Sequence, residues 1–238
     1  MKITHSLDHI ADWFFATLEK LLQTRETVIV GLAWGTSYDA FYAKILQPWT
    51  INHERSTMIS SIRWCMTDER INCEEKDRND THIWEVFLEP LCEMGFSQPE
   101  YFIRPGQNPP SEFQLSHHLS NFYLLPFPHL DIAFFWIGPD GHTASLFPHH
   151  EALNSWELWY IEIHNSPKPP PDRISLSPRS IQSLKHVCLF VVDENKKEAL
   201  ANFLDESVSI ADCPARLLQP EIVFDATTNE MNKTHKTY

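Results

Sequence analysis

The chain has 238 residues, 42% of them hydrophobic and 21% charged, the composition of a soluble globular protein with ample material for a buried core. Its formal charge of −13 excludes a broad nucleic-acid surface, which needs clustered Lys and Arg, although a few local cations can still draw a small anion into a cleft. The five cysteines (65, 73, 92, 188 and 213) are odd in number and form no CxxC pair, which argues against a disulfide framework or a structural zinc site and fits a reducing compartment.

The first apolar stretch carries Asp8 and Asp12, so it does not read as a signal peptide. Leu7, Ile10, Trp13, Phe14, Leu18, Leu21 and Leu22 recur at helical spacing and predict an amphipathic helix over 7–22. Val28–Leu32 is a short β-branched strand that runs to Gly35-Thr36-Ser37. Tyr38, Phe41, Tyr42, Ile45 and Leu46 then predict a helix stopped by Pro48. Residues 58–66 read as a strand running into Thr67-Asp68-Glu69-Arg70, and 79–94 as a helix. Asp131–Ile137 is a buried strand, too short to span a bilayer. His186–Val192 is another, and a helix follows from about Asn195 to Leu204. Short apolar strands alternating with amphipathic helices predict an α/β fold with a mainly parallel sheet flanked by helices. No repeat or linker divides the chain, so 1–238 reads as one domain, with the proline-rich stretches 105–110 and 166–171 as loops within it. A cytoplasmic protein without membrane or nucleic-acid partners is expected.

In an open α/β sheet, ligands bind at the carboxyl ends of the strands. Three polar clusters fall at such ends: Gly35-Thr36-Ser37, Asp68-Glu69-Arg70, and Gly138-Pro139-Asp140-Gly141-His142-Thr143. The first offers N–H groups and hydroxyls at a helix start, a phosphate seat, although Thr-Ser ahead of a helix also serves as a plain N-cap. The second, taken alone, is an acidic-basic run of the kind found in solvated loops. The third uses two of the chain's six glycines, which allow positive φ or close backbone approach, to hold Asp140 and His142 on a tight turn above the sheet. There His142 can act as a neutral general base with Asp140 orienting it, while Thr143 and Ser145 open a helical turn. No cluster has ligand spacing for zinc, and His149-His150 reads as a loop pair, so neither metal nor other cofactor is expected.

The stretch Gly138–Pro148, GPDGHTASLFP, resembles the signature of the 6-phosphogluconolactonase family, within the superfamily that includes glucosamine-6-phosphate deaminase. Deaminases resemble it through the Gly-x-Asp-Gly-His part but continue differently from Thr143-Ala144-Ser145-Leu146-Phe147-Pro148. The resemblance extends in order along the chain. Trp64–Arg70 is similar to the family's Trp-x-x-x-Asp-Glu-Arg segment, with Asn79 where its later Ser-Asn ends. Ser166–Leu176 is similar to a Pro-Lys-Pro-Pro-x-x-Arg-Ile-Thr-Leu run, Lys196 to a lysine after the following strand, and Pro214-Ala215 to a late Pro-Ala. The resemblance implies a Rossmann-like (NagB/RpiA-type) three-layer architecture. It also implies cofactor-free hydrolysis of 6-phospho-D-glucono-1,5-lactone in the oxidative pentose phosphate pathway, by a monomer or a dimer. His142 would be the base and Asp140 its partner. Gly35, Thr36, Ser37, Asp68, Arg70, Asn79, Lys168, Arg173 and Lys196 would bind the substrate.

The chain departs from the family pattern at several places. Trp34 and Trp136 replace glycines beside the presumed site, and are read as packing residues. Arg78 stands for Ser before Asn79, and Asp193 for the Gly after the strand ending at 192. A tryptophan at a position requiring positive φ would cost about 1–2 kcal/mol. Two other readings stay open: a glucosamine-6-phosphate deaminase or isomerase, and a catalytically impaired sugar-phosphate binding protein.

Overall fold

The computed structural model describes residues 1–34, 38–47, 53–96, 102–103 and 130–227. Seven strands, β1 (Lys2–Thr4), β2 (Val28–Leu32), β3 (Ile62–Met66), β5 (Phe102–Ile103), β6 (Ile132–Trp136), β9 (His186–Val191) and β10 (Ile222–Asp225), make one wholly parallel sheet in the order β1-β10-β9-β6-β2-β3-β5. The chain builds outward from β2 through β3 to β5, then returns to β6 on the other side of β2. The carboxyl ends of β2 and β6 therefore flank a topological switch point, where an open α/β sheet leaves a crevice for a ligand.

A wholly parallel sheet is buried on both faces, and the side chains sort by the period of two. Along β6, Ile132 and Phe134 enter the core beneath the helices α1 (Leu7–Leu22), α2 (Asp39–Ile45) and α3 (His53–Ser60), while Ala133 and Phe135 enter a second core on the opposite face. Along β9, Cys188 and Phe190 go to the first core, and Val187, Leu189 and Val191 to the second. The first core is aromatic: Phe41 lies 5.0 Å from Phe134 and Tyr42 4.6 Å from Phe87, centroid to centroid. The Tyr42 hydroxyl donates to the Ala33 carbonyl at 2.8 Å, tying α2 to the end of β2. The second core is closed by the helices Pro178–Ser183 and Lys197–Leu204 and by a small antiparallel sheet. That sheet contains β4 (Asp68–Arg70), β7 (Tyr160–Ile163) and β8 (Arg173–Leu176) in the order β4-β8-β7.

The helix over 7–22, the central parallel strands and the helix ending at Leu204 agree with expectation. Three local readings need correction. Residues 58–60 end α3 rather than begin a strand, because the apolar pair Met58-Ile59 sits on the buried side of a helical turn. Asp68–Arg70 is a paired strand and not a solvated loop: Asp68 is opposite Ser175 and Arg70 opposite Arg173. Residues 143–146 open no helix; they form a turn closed by a bridge between Thr143 and Leu146, with Ala144 at φ 47°. The 105–110 loop and the Gly35-Thr36-Ser37 turn lie outside the described residues. Among the described residues no helix is long and apolar enough to cross a membrane.

Neither Trp34 nor Trp136 has positive φ, so neither carries the backbone strain considered above. Asp193 does, with φ 87° and ψ 141°, a region open to little besides glycine and costing about 1–3 kcal/mol for other residues. Asp193→Gly should therefore stabilise the fold by about 1 kcal/mol, a rise in Tm of roughly 2–4 °C for a domain of this size. Thermal unfolding measures it, and an unchanged or lower Tm would contradict the strain argument.

Candidate active site

The segment after β6 folds back on itself. The Gly138 N–H donates to the His142 carbonyl at 2.8 Å, and the Gly141 N–H to the Gly138 carbonyl at 2.9 Å. A Cβ built on Gly138 would overlap His142 Nδ1 and lie 2.5 Å from Asp140 Oδ1, so the imidazole and the carboxylate occupy the space that any other residue would fill. Gly141 holds φ 83°, and its carbonyl accepts the Ala215 N–H at 2.9 Å. Pro214-Ala215 is thus a buttress beneath the turn. Around it, the Thr143 hydroxyl donates to the Trp136 carbonyl at 2.9 Å and the Ser145 hydroxyl to Asp68 Oδ2 at 2.7 Å. These bonds clamp the turn to both sheets.

His142 is 2% exposed. Its Nδ1 contacts Asp140 Oδ1, and Lys168 Nζ lies 3.0 Å from Asp140 Oδ2 and 3.3 Å from the same Nδ1. An ionised Asp140 can only accept, so Nδ1 carries the proton and Nε2 the lone pair. The ammonium then donates to the carboxylate and cannot donate to a protonated Nδ1. Phe147 stacks on the imidazole with centroids 4.6 Å apart and an interplanar angle of 26°, and Trp136 meets it at 4.7 Å and 83°. Burial lowers the His142 pKa, Asp140 opposes that, and Lys168 adds to it, with a net result below the ordinary 6.5. Burial would raise the Asp140 carboxyl, but His142 and Lys168 together hold it well below the usual carboxylate range. The site is therefore built to keep a neutral imidazole beside an ionised carboxylate.

Strand β4 supplies the other wall. Asp68 and Asn79 are buried, with Asn79 Nδ2 donating to the Asp68 carbonyl at 3.0 Å. Asp68 Oδ1 and Asn79 Oδ1 are buried without a hydrogen-bond partner among the described residues. Arg70 donates from Nη1 to the Asp77 carbonyl at 2.9 Å and lies over the Trp34 ring at 5.1 Å, while its Nε is buried without a partner among the described residues. Behind it, the Glu69 carboxylate accepts the N–H groups of Arg70, Asn79 and Asp80 at 2.6, 2.7 and 2.7 Å. Burial and the nearby Asp80 push Glu69 up from the ordinary range, against the pull of Arg78 and these N–H donors. Arg78 grips Asp80 through Nε and Nη2 at 2.9 and 2.7 Å, and its Nη1 reaches the Arg70 carbonyl at 3.3 Å.

Arg173 is committed to the protein. Its Nε donates to the Pro170 carbonyl at 3.1 Å, and Nη2 to the carbonyls of Lys168 and Pro169 at 3.0 and 3.2 Å. Its Nη1 is 3.4 Å from Ser145 Oγ. It fastens the loop that delivers Lys168, which sequence reasoning could not distinguish from contact with a ligand. Lys196 is buried on the far side, 3.9 Å from Asp193 and over the Trp136 ring at 5.1 Å. Asp140, His142, Lys168 and Lys196 thus gather around the end of β6, Arg173 joins them across Phe147 at 5.4 Å, and Asp68 joins through Ser145. Phe147, Ser145 and Trp136 were missed as site residues; their signal was proximity to the glycine turn, which does not say which side chains point back at the histidine. Among the described residues no group of three His, Cys, Asp or Glu could hold a metal ion. A groove beside β7, lined by His150, Glu151, Tyr160, Glu162 and His164, contains none of the predicted site residues.

Residues 3–227 match the model of a family described as glucosamine-6-phosphate isomerases/6-phosphogluconolactonase. The chain belongs to this family. A putative 6-phosphogluconolactonase of Caenorhabditis elegans is 31% identical over 203 residues, 84% of this chain and 74% of that one. The 6-phosphogluconolactonase of Borreliella burgdorferi is 49% identical over 83 residues, and the match spans only 35% of either chain. In structure, the 6-phosphogluconolactonase of Thermotoga maritima superposes with a TM-score of 0.70 at 21% identity, over 93% of this chain and 96% of that one. The family's three-layer α/β architecture is therefore the fold of this chain.

The burial and charges around His142 set its titration. Followed by NMR, the imidazole should titrate below pH 6.5. Asp140→Asn removes the group that raises its pKa and should shift the midpoint further down, while Lys168→Met removes one that lowers it and should shift the midpoint up. Shifts in the same direction for both variants would contradict the arrangement.

Proposed function

We propose that the chain hydrolyses 6-phospho-D-glucono-1,5-lactone to 6-phosphogluconate, the ring-opening step of the oxidative pentose phosphate pathway. The observation that carries this reading is the contact of buried His142 Nδ1 with the Asp140 carboxyl group, with Lys168 alongside. His142 Nε2 takes a proton from water as the water oxygen bonds to the lactone carbonyl carbon, whose π pair becomes an oxyanion. Collapse of that intermediate breaks the bond to the ring oxygen, and the imidazolium returns its proton to the departing oxygen. Asp140 holds the tautomer and stabilises the transient imidazolium, in the manner of a base–orienter pair. Lys168, Lys196 and Arg70 are the cations that would serve the oxyanion and the phosphate. A chain at −13 has to concentrate such cations locally to attract a phosphate dianion.

The family description covers two chemistries, and Thr143-Ala144-Ser145 after the histidine favours the lactonase. Purified protein should accelerate lactone hydrolysis above the spontaneous background and release no ammonia from glucosamine 6-phosphate. The reverse pattern would assign the deaminase, and neither activity would leave a binding protein.

Arg70 tests the anion site. Its guanidinium donates to the Asp77 carbonyl while lying over Trp34, and a lysine has neither the planar fork nor the stacking face to do both. Arg70→Lys should lower kcat/KM at least tenfold, about 1.4 kcal/mol. An unchanged kcat/KM would remove Arg70 from the site.

A further inference from the structure

The proposed chemistry makes no use of the cleft's aromatic wall. Trp136 ends β6, and the alternation along that strand turns it to the same side as Ile132 and Phe134, so the indole packs on the helix-covered core. At the carboxyl end of the strand the half-buried ring lies between His142 and Lys196. It meets the His142 ring at 4.7 Å, nearly perpendicular, and Lys196 Nζ stands 5.1 Å from its centroid. Lys196 is buried, and burial lowers its pKa, countered by Asp193 and reinforced by Lys168. A buried ammonium needs compensation; Asp193 at 3.9 Å gives part of it, and the negative face of the indole adds to that while fixing where the charge sits. Lys168 is occupied with Asp140, so the two lysines are differently placed: one beside the proton-transfer pair, the other on the tryptophan.

We propose that Trp136 is a positioning residue that holds the Lys196 ammonium at the cleft for the anionic group of the substrate, and so sets affinity rather than the rate of proton transfer. The inference rests on the lactonase reading.

Kinetics and NMR together test it. Trp136→Phe keeps an aromatic face and should leave KM within about twofold, whereas Trp136→Leu should raise KM at least about fivefold with a much smaller change in kcat. Adding Trp136→Leu to Lys196→Met should raise KM no further, because the two side chains act as one unit. A purely structural role predicts instead that kcat and KM move together with Tm, that the effects add, and that Phe rescues no better than Leu; that result overturns the proposal. Independently of activity, the ε-methylene signal of Lys196 in protein labelled with [6-13C]lysine, assigned with Lys196→Arg, should be shifted upfield by the indole and lose that shift in Trp136→Leu. A signal unmoved by Trp136→Leu overturns the proposal even if the enzyme is active. A signal that moves while KM does not overturns the binding role. If the wild-type protein hydrolyses no lactone, the lactonase reading and the affinity role fall together, and the lysine signal alone decides whether Trp136 positions Lys196.

Discussion

The site depends on the absence of one carbon atom. The space a Cβ would occupy at Gly138 is filled by the His142 ring and the Asp140 carboxylate, so a histidine two residues from its partner can bend back to meet it. Everything else in the turn maintains that fit. Gly141 reverses the chain with positive φ, Pro214-Ala215 supports it from beneath, and hydroxyls of Thr143 and Ser145 fasten it to the two sheets. The parallel sheet places the turn at the switch point beside β2, and the small antiparallel sheet carries Asp68 and Arg173 up to its other side.

Charge and burial work in opposite directions here, and that opposition makes the histidine useful. Burial alone would leave a neutral but unoriented ring, and Asp140 alone would hold it protonated to higher pH. Lys168 offsets part of the carboxylate's pull, so the ring stays neutral while its tautomer is fixed. Arg173 contributes from a distance by holding three successive carbonyls of the loop that carries Lys168. An acidic chain thereby gathers Lys168, Lys196 and Arg173 around the end of β6.

Much of this was legible in the sequence because it follows from strong local signals. The short apolar runs of β6 and β9 and the amphipathic spacing along α1 marked the parallel sheet and its helices, and the glycine pair marked the turn. The antiparallel sheet was not legible. Strands of three or four residues such as Asp68–Arg70 and Arg173–Leu176 carry too few alternations to declare themselves, and their pairing is set by contacts about a hundred residues apart in sequence. Met58-Ile59 misled for the related reason that a short apolar run fits a helix end as well as a strand. Which cations point inward was equally hidden: Lys168 lies in the loop ahead of β8 and Arg173 opens that strand, yet Arg173 is consumed by backbone carbonyls while Lys168 reaches Asp140 and His142. Trp34 and Trp136 could be recognised as departures from a glycine pattern, but their cation contacts with Arg70 and Lys196 required the fold.

The central claim is that His142 moves the proton. Its most direct test is kcat for lactone hydrolysis by His142→Ala, with the melting curve recorded on the same preparation. The account predicts a fall of about 10²–10⁴-fold with the fold retained. A folded variant that keeps more than about half of the wild-type rate would contradict it, since loss of a general base removes far more than that.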